Sequence, residues 1–158
     1  MSQPNEILNA VRRGENVTPL AATTYFNALP ALPLESLLGS WRGTCVLTNH
    51  PGTKPLLDIN WDGKNFHSIN DVDPIVVRAD GGKGGRVVNG FMGKARIREV
   101  KYNGVVSAAM IYNEKPIIDY FRKIDENTVI GVMDALESQA DHGLFFILER
   151  IEGVQGKL

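Results

Sequence analysis

Gly39-Ser-Trp-Arg-Gly43 opens a long series of short strand-like runs, and the last run, Leu144-Phe-Phe-Ile-Leu-Glu-Arg150, ends on an arginine. A Gly-x-Trp at the start of the first strand and an Arg at the end of the last form a pair that can close one end of a small antiparallel barrel. The indole plugs the floor, and a guanidinium over its face adds a cation–π contact of roughly 1 kcal/mol. Trp41 and Arg150 are therefore read as a structural floor pair. A barrel of that size is either filled by side chains or holds one small ligand.

The strand-like runs are Trp41–Leu47, Pro74–Arg78, Arg86–Asn89, Ala95–Tyr102, Val105–Tyr112, Pro116–Ile124, Thr128–Met133 and Leu144–Ile151. Asp62-Gly63 and Asn103-Gly104 have the composition of tight hairpin turns, and Asp125-Glu-Asn127 that of a further turn. This spacing predicts a mainly β protein built on a single antiparallel sheet or barrel. Ahead of it, Ser2 as N-cap with Ile7, Leu8 and Val11 predicts one short helix ending at Gly14. Thr18-Pro19 starts a second helix that Pro30 stops, and Pro33–Leu38 adds a helical turn. The expected organisation is a helical segment over 1–38 packing on the barrel, with one mouth as a place for it, a barrel over 39–152, and a flexible tail over 153–158.

With 158 residues, 43% of them hydrophobic and 22% charged, the chain matches one ordinary globular core. A net charge of -1 and the absence of a long basic run argue against nucleic acid. The cluster Lys94, Arg96, Arg98, Lys101 is interrupted by Glu99 and reads as a solvated strand face. Cys45 is the only cysteine, so no internal disulfide forms. No apolar run approaches the roughly 20 residues of a membrane span, and the first residues lack signal-peptide character, so the expected location is cytoplasmic. Oligomeric state is not legible.

The motifs carry a resemblance. Leu37-Leu-Gly-Ser-Trp-Arg-Gly43, Asn49-His-Pro51, Trp61-Asp-Gly-Lys-Asn-Phe66 and Gly104-Val-Val-Ser-Ala-Ala-Met-Ile-Tyr112 resemble the GXWXG-domain family. Pro116–Asp125, Val129–Asp134 and Phe145–Arg150 resemble the C-terminal domain of unknown function that accompanies it. The resemblance implies a calycin or lipocalin-like barrel and no particular reaction. Leu37–Gly43 is also similar to nitrobindins, which ligate haem through a histidine near the C-terminus, and that likeness implies His142 as a haem position.

Three groups of residues could carry chemistry. Asp119, Tyr120 and Arg122 lie on one strand, with Asp119 sharing a face with Phe121 and Arg122 sharing the other with Tyr120. One charge must then sit among apolar neighbours and needs a partner. A buried Asp119 suits a general base; a paired network inside the wall is the plainer reading. His50 follows the first strand at an expected rim, where it could act as acid or base. Met110, Tyr112, Phe121, Met133 and Phe146 offer apolar and aromatic lining. The leading expectation is a carrier or sensor for a small hydrophobic molecule, with Tyr112, Asp119, Tyr120 and Arg122 orienting it. The alternatives are an isomerase, cyclase or hydrolase using Asp119 or His50, a haem protein using His142, or an interaction module. No metal and no other cofactor is expected.

Overall fold

The computed structural model describes residues 3–151; Ser2 and the tail at 153–158 lie outside them. Two helices come first, α1 (Gln3–Arg12) and α2 (Pro19–Ala28). Thr18 caps α2 by accepting a hydrogen bond from the Ala21 amide at 3.1 Å, with Pro19 fitted to the first turn. Gly14, at φ 70°, turns the chain out of α1. A 3-10 turn over Leu34–Leu37 leads into β1 (Gly39–Cys45).

The remaining elements are α3 (Thr53–Asp58), β2 (Trp61–Ser68), β3 (Asp71–Arg78), β4 (Arg86–Val88), β5 (Ala95–Tyr102), β6 (Val105–Tyr112), β7 (Ile117–Asp125), β8 (Thr128–Ala135) and β9 (Leu144–Arg150). The protein is mainly β, a nine-stranded antiparallel sheet in the order β2-β1-β9-β8-β7-β6-β5-β3-β4. β2 also pairs with β3, so eight strands form a closed ring and β4 hangs on β3 outside it. The weakest seam is β3 to β5, where Val72 opposite Ala95 is the one registered pair.

The hairpin prediction splits. Asn103 and Gly104, at φ 51° and 81°, make the tight β5–β6 turn. Asp62 and Gly63 instead lie inside β2, and the β2–β3 connection falls at Ile69-Asn70. Gly63, at φ +143°, sits at a bulge, and a Cβ there would come within 1.9 Å of the Trp41 carbonyl oxygen. Close approach of two backbones, not a reversal of direction, is what requires glycine here. α3 has no counterpart in the sequence reading, since six residues are too few to show a helical period.

Apolar residues bury on both faces of the ring. The interior holds Trp41, Phe66, Ile97, Met110, Phe121, Phe146 and Leu148. Outside, Leu8, Val11, Ala22, Tyr25 and Phe26 of the two helices pack on Val46, Ile130, Val132, Phe145 and Ile147. The helices therefore cover the outer wall of β8 and β9, not a mouth. This explains why those strands read as continuous apolar runs without alternation. Between the helices and β1, Ala31 bridges Arg122, and Leu32 donates to Ser107 Oγ at 2.8 Å. The chain thus wedges into the gap where β6 and β7 part.

Candidate functional site

One end of the ring is shut. Trp41 is fully buried and opposite Arg150 in register, with the guanidinium 4.2 Å from the ring centroid. The indole donates to the Leu37 carbonyl at 2.8 Å. Arg150 donates to the carbonyls of Leu38 and Ser36 at 2.7 and 2.8 Å. Every bond ties the 3-10 turn to β1 and β9. Above this floor, Phe121 meets Phe66 and Phe146 edge to face at 6.2 and 5.8 Å, filling the lower interior. Gly131 makes room for them, since a Cβ there would come within 2.4 Å of the Phe146 ring.

The other end is hollow. A cavity of about 200 Å³ lies among Trp61, Lys64, Tyr112, Asp119, Met133 and Phe146, with Leu56 of α3 and the exposed Phe91 at its edge. Its wall is apolar apart from the Trp61 indole nitrogen, the Tyr112 phenol and one charged pair. Lys64 and Asp119 are 2% and 1% exposed, and Lys64 Nζ lies 3.2 Å from Asp119 Oδ2. Nζ also donates to the Pro74 carbonyl at 3.1 Å and sits 5.2, 5.6 and 5.8 Å from the rings of Phe146, Trp61 and Tyr112. Two polar atoms of the lining, Asp119 Oδ1 and Trp61 Nε1, are buried with no hydrogen-bond partner.

Burial pulls the Lys64 ammonium down from its ordinary pKa, against the attraction of Asp119. Burial likewise pushes the Asp119 carboxyl up, against the attraction of Lys64. The two proton affinities approach one another, a condition suited to proton exchange. Burial, with Asp119 nearby, also holds the Tyr112 phenol well above its usual range, so it stays protonated. The Cys45 thiol, pushed up to about 11 by burial, is not a thiolate at neutral pH.

The expected site residues divide sharply. Tyr112, Asp119, Met133 and Phe146 line the cavity. Met110 and Phe121 are fully buried in the filled interior beside it. Tyr120 and Arg122 are on the outer face, because β7 alternates and Asp119 points in. Tyr120 stacks on Tyr102 at 3.8 Å and donates to Asp134. Arg122 is 1% exposed and donates to the carbonyls of Phe26, Asn27 and Leu29 at 3.2, 3.2 and 2.9 Å. Those carbonyls lie at and just past the end of α2, where the Phe26 carbonyl also accepts from the Leu29 amide, so Arg122 caps the C-terminus of a helix.

Lys64 escaped the sequence reading. Bulges between Trp61 and Asn65 change the phase of β2, so Trp61, Lys64 and Phe66 can all face inward. The signal available was the demand of a buried Asp119 for a cation, without an address for it.

His50 is buried but does not line this cavity; its Nδ1 accepts from the Gly52 amide at 2.9 Å. It meets His142 edge to face at 5.2 Å, a contact no spacing announced. Burial and the neighbouring His142 hold the His50 imidazole below its ordinary pKa. Both ring nitrogens of His142 have partners, Thr48 Oγ1 at 2.9 Å and Asp141 Oδ1 at 2.7 Å. The cleft beside it is lined by Asp134, Ser138 and Asp141. A haem needs a free axial nitrogen facing an apolar slot, and these residues do not fit one. Among the described residues, no group of three His, Cys, Asp or Glu side chains is placed to hold a metal, and no helix is long and apolar enough to cross a membrane.

A mainly β ring with a half-filled, half-hollow interior defines the class of protein. Known proteins refine it. The family described as GXWXG protein matches residues 24–82, and the Domain of unknown function (DUF4334) matches 93–150. The chain belongs to the family that joins these two domains. A crystal structure of a protein from Thermomonospora curvata is 32% identical, with 96% of this chain and 100% of that chain covered at a TM-score of 0.87. No curated protein matches.

Proposed function

We propose that the ring is a lipocalin-like barrel and that the protein is an intracellular carrier or sensor for a small hydrophobic molecule. The observation that carries this reading is the apolar cavity of about 200 Å³, two of whose lining residues carry buried polar atoms without partners, Asp119 Oδ1 and Trp61 Nε1. Buried polar atoms without partners each cost about 1–3 kcal/mol, a cost that a ligand with a complementary head group would remove. The apolar lining would hold the body of the ligand, and Tyr112, Asp119 and Lys64 would orient its head. A cavity of ~150 Å³ takes up benzene, so the fit is to a molecule of about that size or slightly larger. On this reading the helices are an outer strap on a single domain, and the protein works in the cytoplasm.

Native mass spectrometry of protein purified from its own host, followed by denaturing extraction, tests this reading. A retained small molecule in the wild type, lost from a cavity-filled Met133→Trp variant, is the expected result. An environment-sensitive apolar dye bound equally by both forms would overturn it.

One observation favours a second reading, an enzyme acting on such a molecule. The Lys64–Asp119 pair sits on the cavity, and burial pulls the Lys64 ammonium down and pushes the Asp119 carboxyl up, shifts of the kind that tune a general acid or base. Asp119 serves this role better than His50, which lies off the cavity wall. An Asp119→Asn variant that binds the retained molecule but fails to convert it supports the enzyme; equal conversion eliminates it.

A further inference from the structure

We propose that Lys64 captures a small hydrophobic aldehyde in this cavity as an imine, with Asp119 relaying the protons. The inference rests on the cavity being a ligand site and goes further by naming the reactive group of the ligand.

Charge argues first. Asp119 already balances Lys64 at 3.2 Å, and Asp119 Oδ1 has no donor. A carboxylate ligand would bring a second negative charge against that bare oxygen in a site of low polarity. A carbonyl brings none, and its oxygen becomes a hydroxyl donor after addition. The orphan acceptor is thus matched by the intermediate better than by a carboxylate.

Position and reactivity agree with this. Nζ is held by the Pro74 carbonyl and Asp119, among three aromatic rings, on a cavity with room for the carbonyl carbon. Burial makes the ammonium easier to deprotonate, and the neutral amine is the nucleophile. The apolar wall limits water, which slows hydrolysis of the product. Among the described residues, no other lysine lines the cavity.

The steps balance. The Lys64 ammonium passes a proton to Asp119, leaving a neutral amine and a carboxylic acid. The amine lone pair forms a C–N bond to the carbonyl carbon, and a proton moves from nitrogen to oxygen to give the carbinolamine. Asp119 then returns its proton to the hydroxyl, the C–O bond breaks and water leaves. What remains is a protonated imine beside the Asp119 carboxylate, with the same net charge as at the start.

The test treats the full chain at neutral pH with cinnamaldehyde and sodium cyanoborohydride, then maps the reduced adduct by peptide mass spectrometry. Binding of the unreactive cinnamyl alcohol is measured in parallel. Lys64 is expected to be labelled faster than the exposed Lys83, because burial lowers its proton affinity and the neutral amine is the nucleophile. Lys64→Arg should keep the wild-type melting temperature and form no adduct at this site. Asp119→Asn should form the adduct more slowly, with alcohol binding read on the wild type, where both head-group partners are intact. Alcohol binding with label only on exposed lysines overturns the imine and leaves the cavity reading standing. Failure of both alcohol binding and Lys64 labelling overturns the two together.

Discussion

Asp119 and Arg122 stand three residues apart on β7, each 1% exposed, and they face opposite sides of the wall. Arg122 donates to three carbonyls at the end of α2 and lies 4.8 Å from the Phe26 ring. Asp119 has one cation and one bare oxygen. A buried charge whose bonds are spent on backbone is holding the fold together. One left short of a partner, on a cavity wall, is available to something else. Arg150 belongs with Arg122, since it too spends its donors on carbonyls.

The difference can be broken by mutation, beginning where the effect is largest. Trp41→Ala should destabilise by about 3–5 kcal/mol in denaturant melts, because the floor has no slack; a change near zero would remove the floor assignment. Arg122→Met should cost about 2–3 kcal/mol, the scale of hydrogen bonds from a charged group, and leave ligand binding intact. Loss of binding without loss of stability would invert the contrast. The double change Lys64→Met with Asp119→Leu should leave stability unchanged or raise it by about 1–4 kcal/mol, as replacement of buried ion pairs often does, while abolishing ligand capture. A large loss of stability would make the pair structural like Arg122.

The smallest expected effect is on pH dependence. His50 has a folded pKa below its unfolded value, first because it is buried and then because of His142. The unfolded chain therefore takes up the proton first. The stabilisation is full above the unfolded value, near pH 6.5, and is lost as pH falls through the lowered folded value. A His50→Gln variant should flatten that part of the melting curve against pH; an unchanged slope would assign it to another group.

What the sequence could disclose follows from what is local. Thr18-Pro19 and Asn103-Gly104 state their own backbone geometry, and both appear where they were read. The Trp41–Arg150 pair is legible because each residue marks an end of its strand. Asp62-Gly63 misleads because a bulge and a turn draw on the same glycine conformations. Alternation separates Asp119 from Arg122 but cannot say which face is the cavity, since helices bury the outer face as well. The inward turn of Lys64 depends on that same bulge, and the meeting of His50 with His142 depends on the fold as a whole.

The seam between β3 and β5 has a consequence for inheritance. The two matched family segments meet near it, and each supplies an arc of the same ring. Lys64 comes from the first arc and Asp119 from the second. Any selection on the pair would therefore act across a module boundary. A gene that lost either module would lose half of its charged couple along with the wall behind it. Among descendants that keep both, positions 64 and 119 should change hand in hand, while 122 should vary with the end of α2.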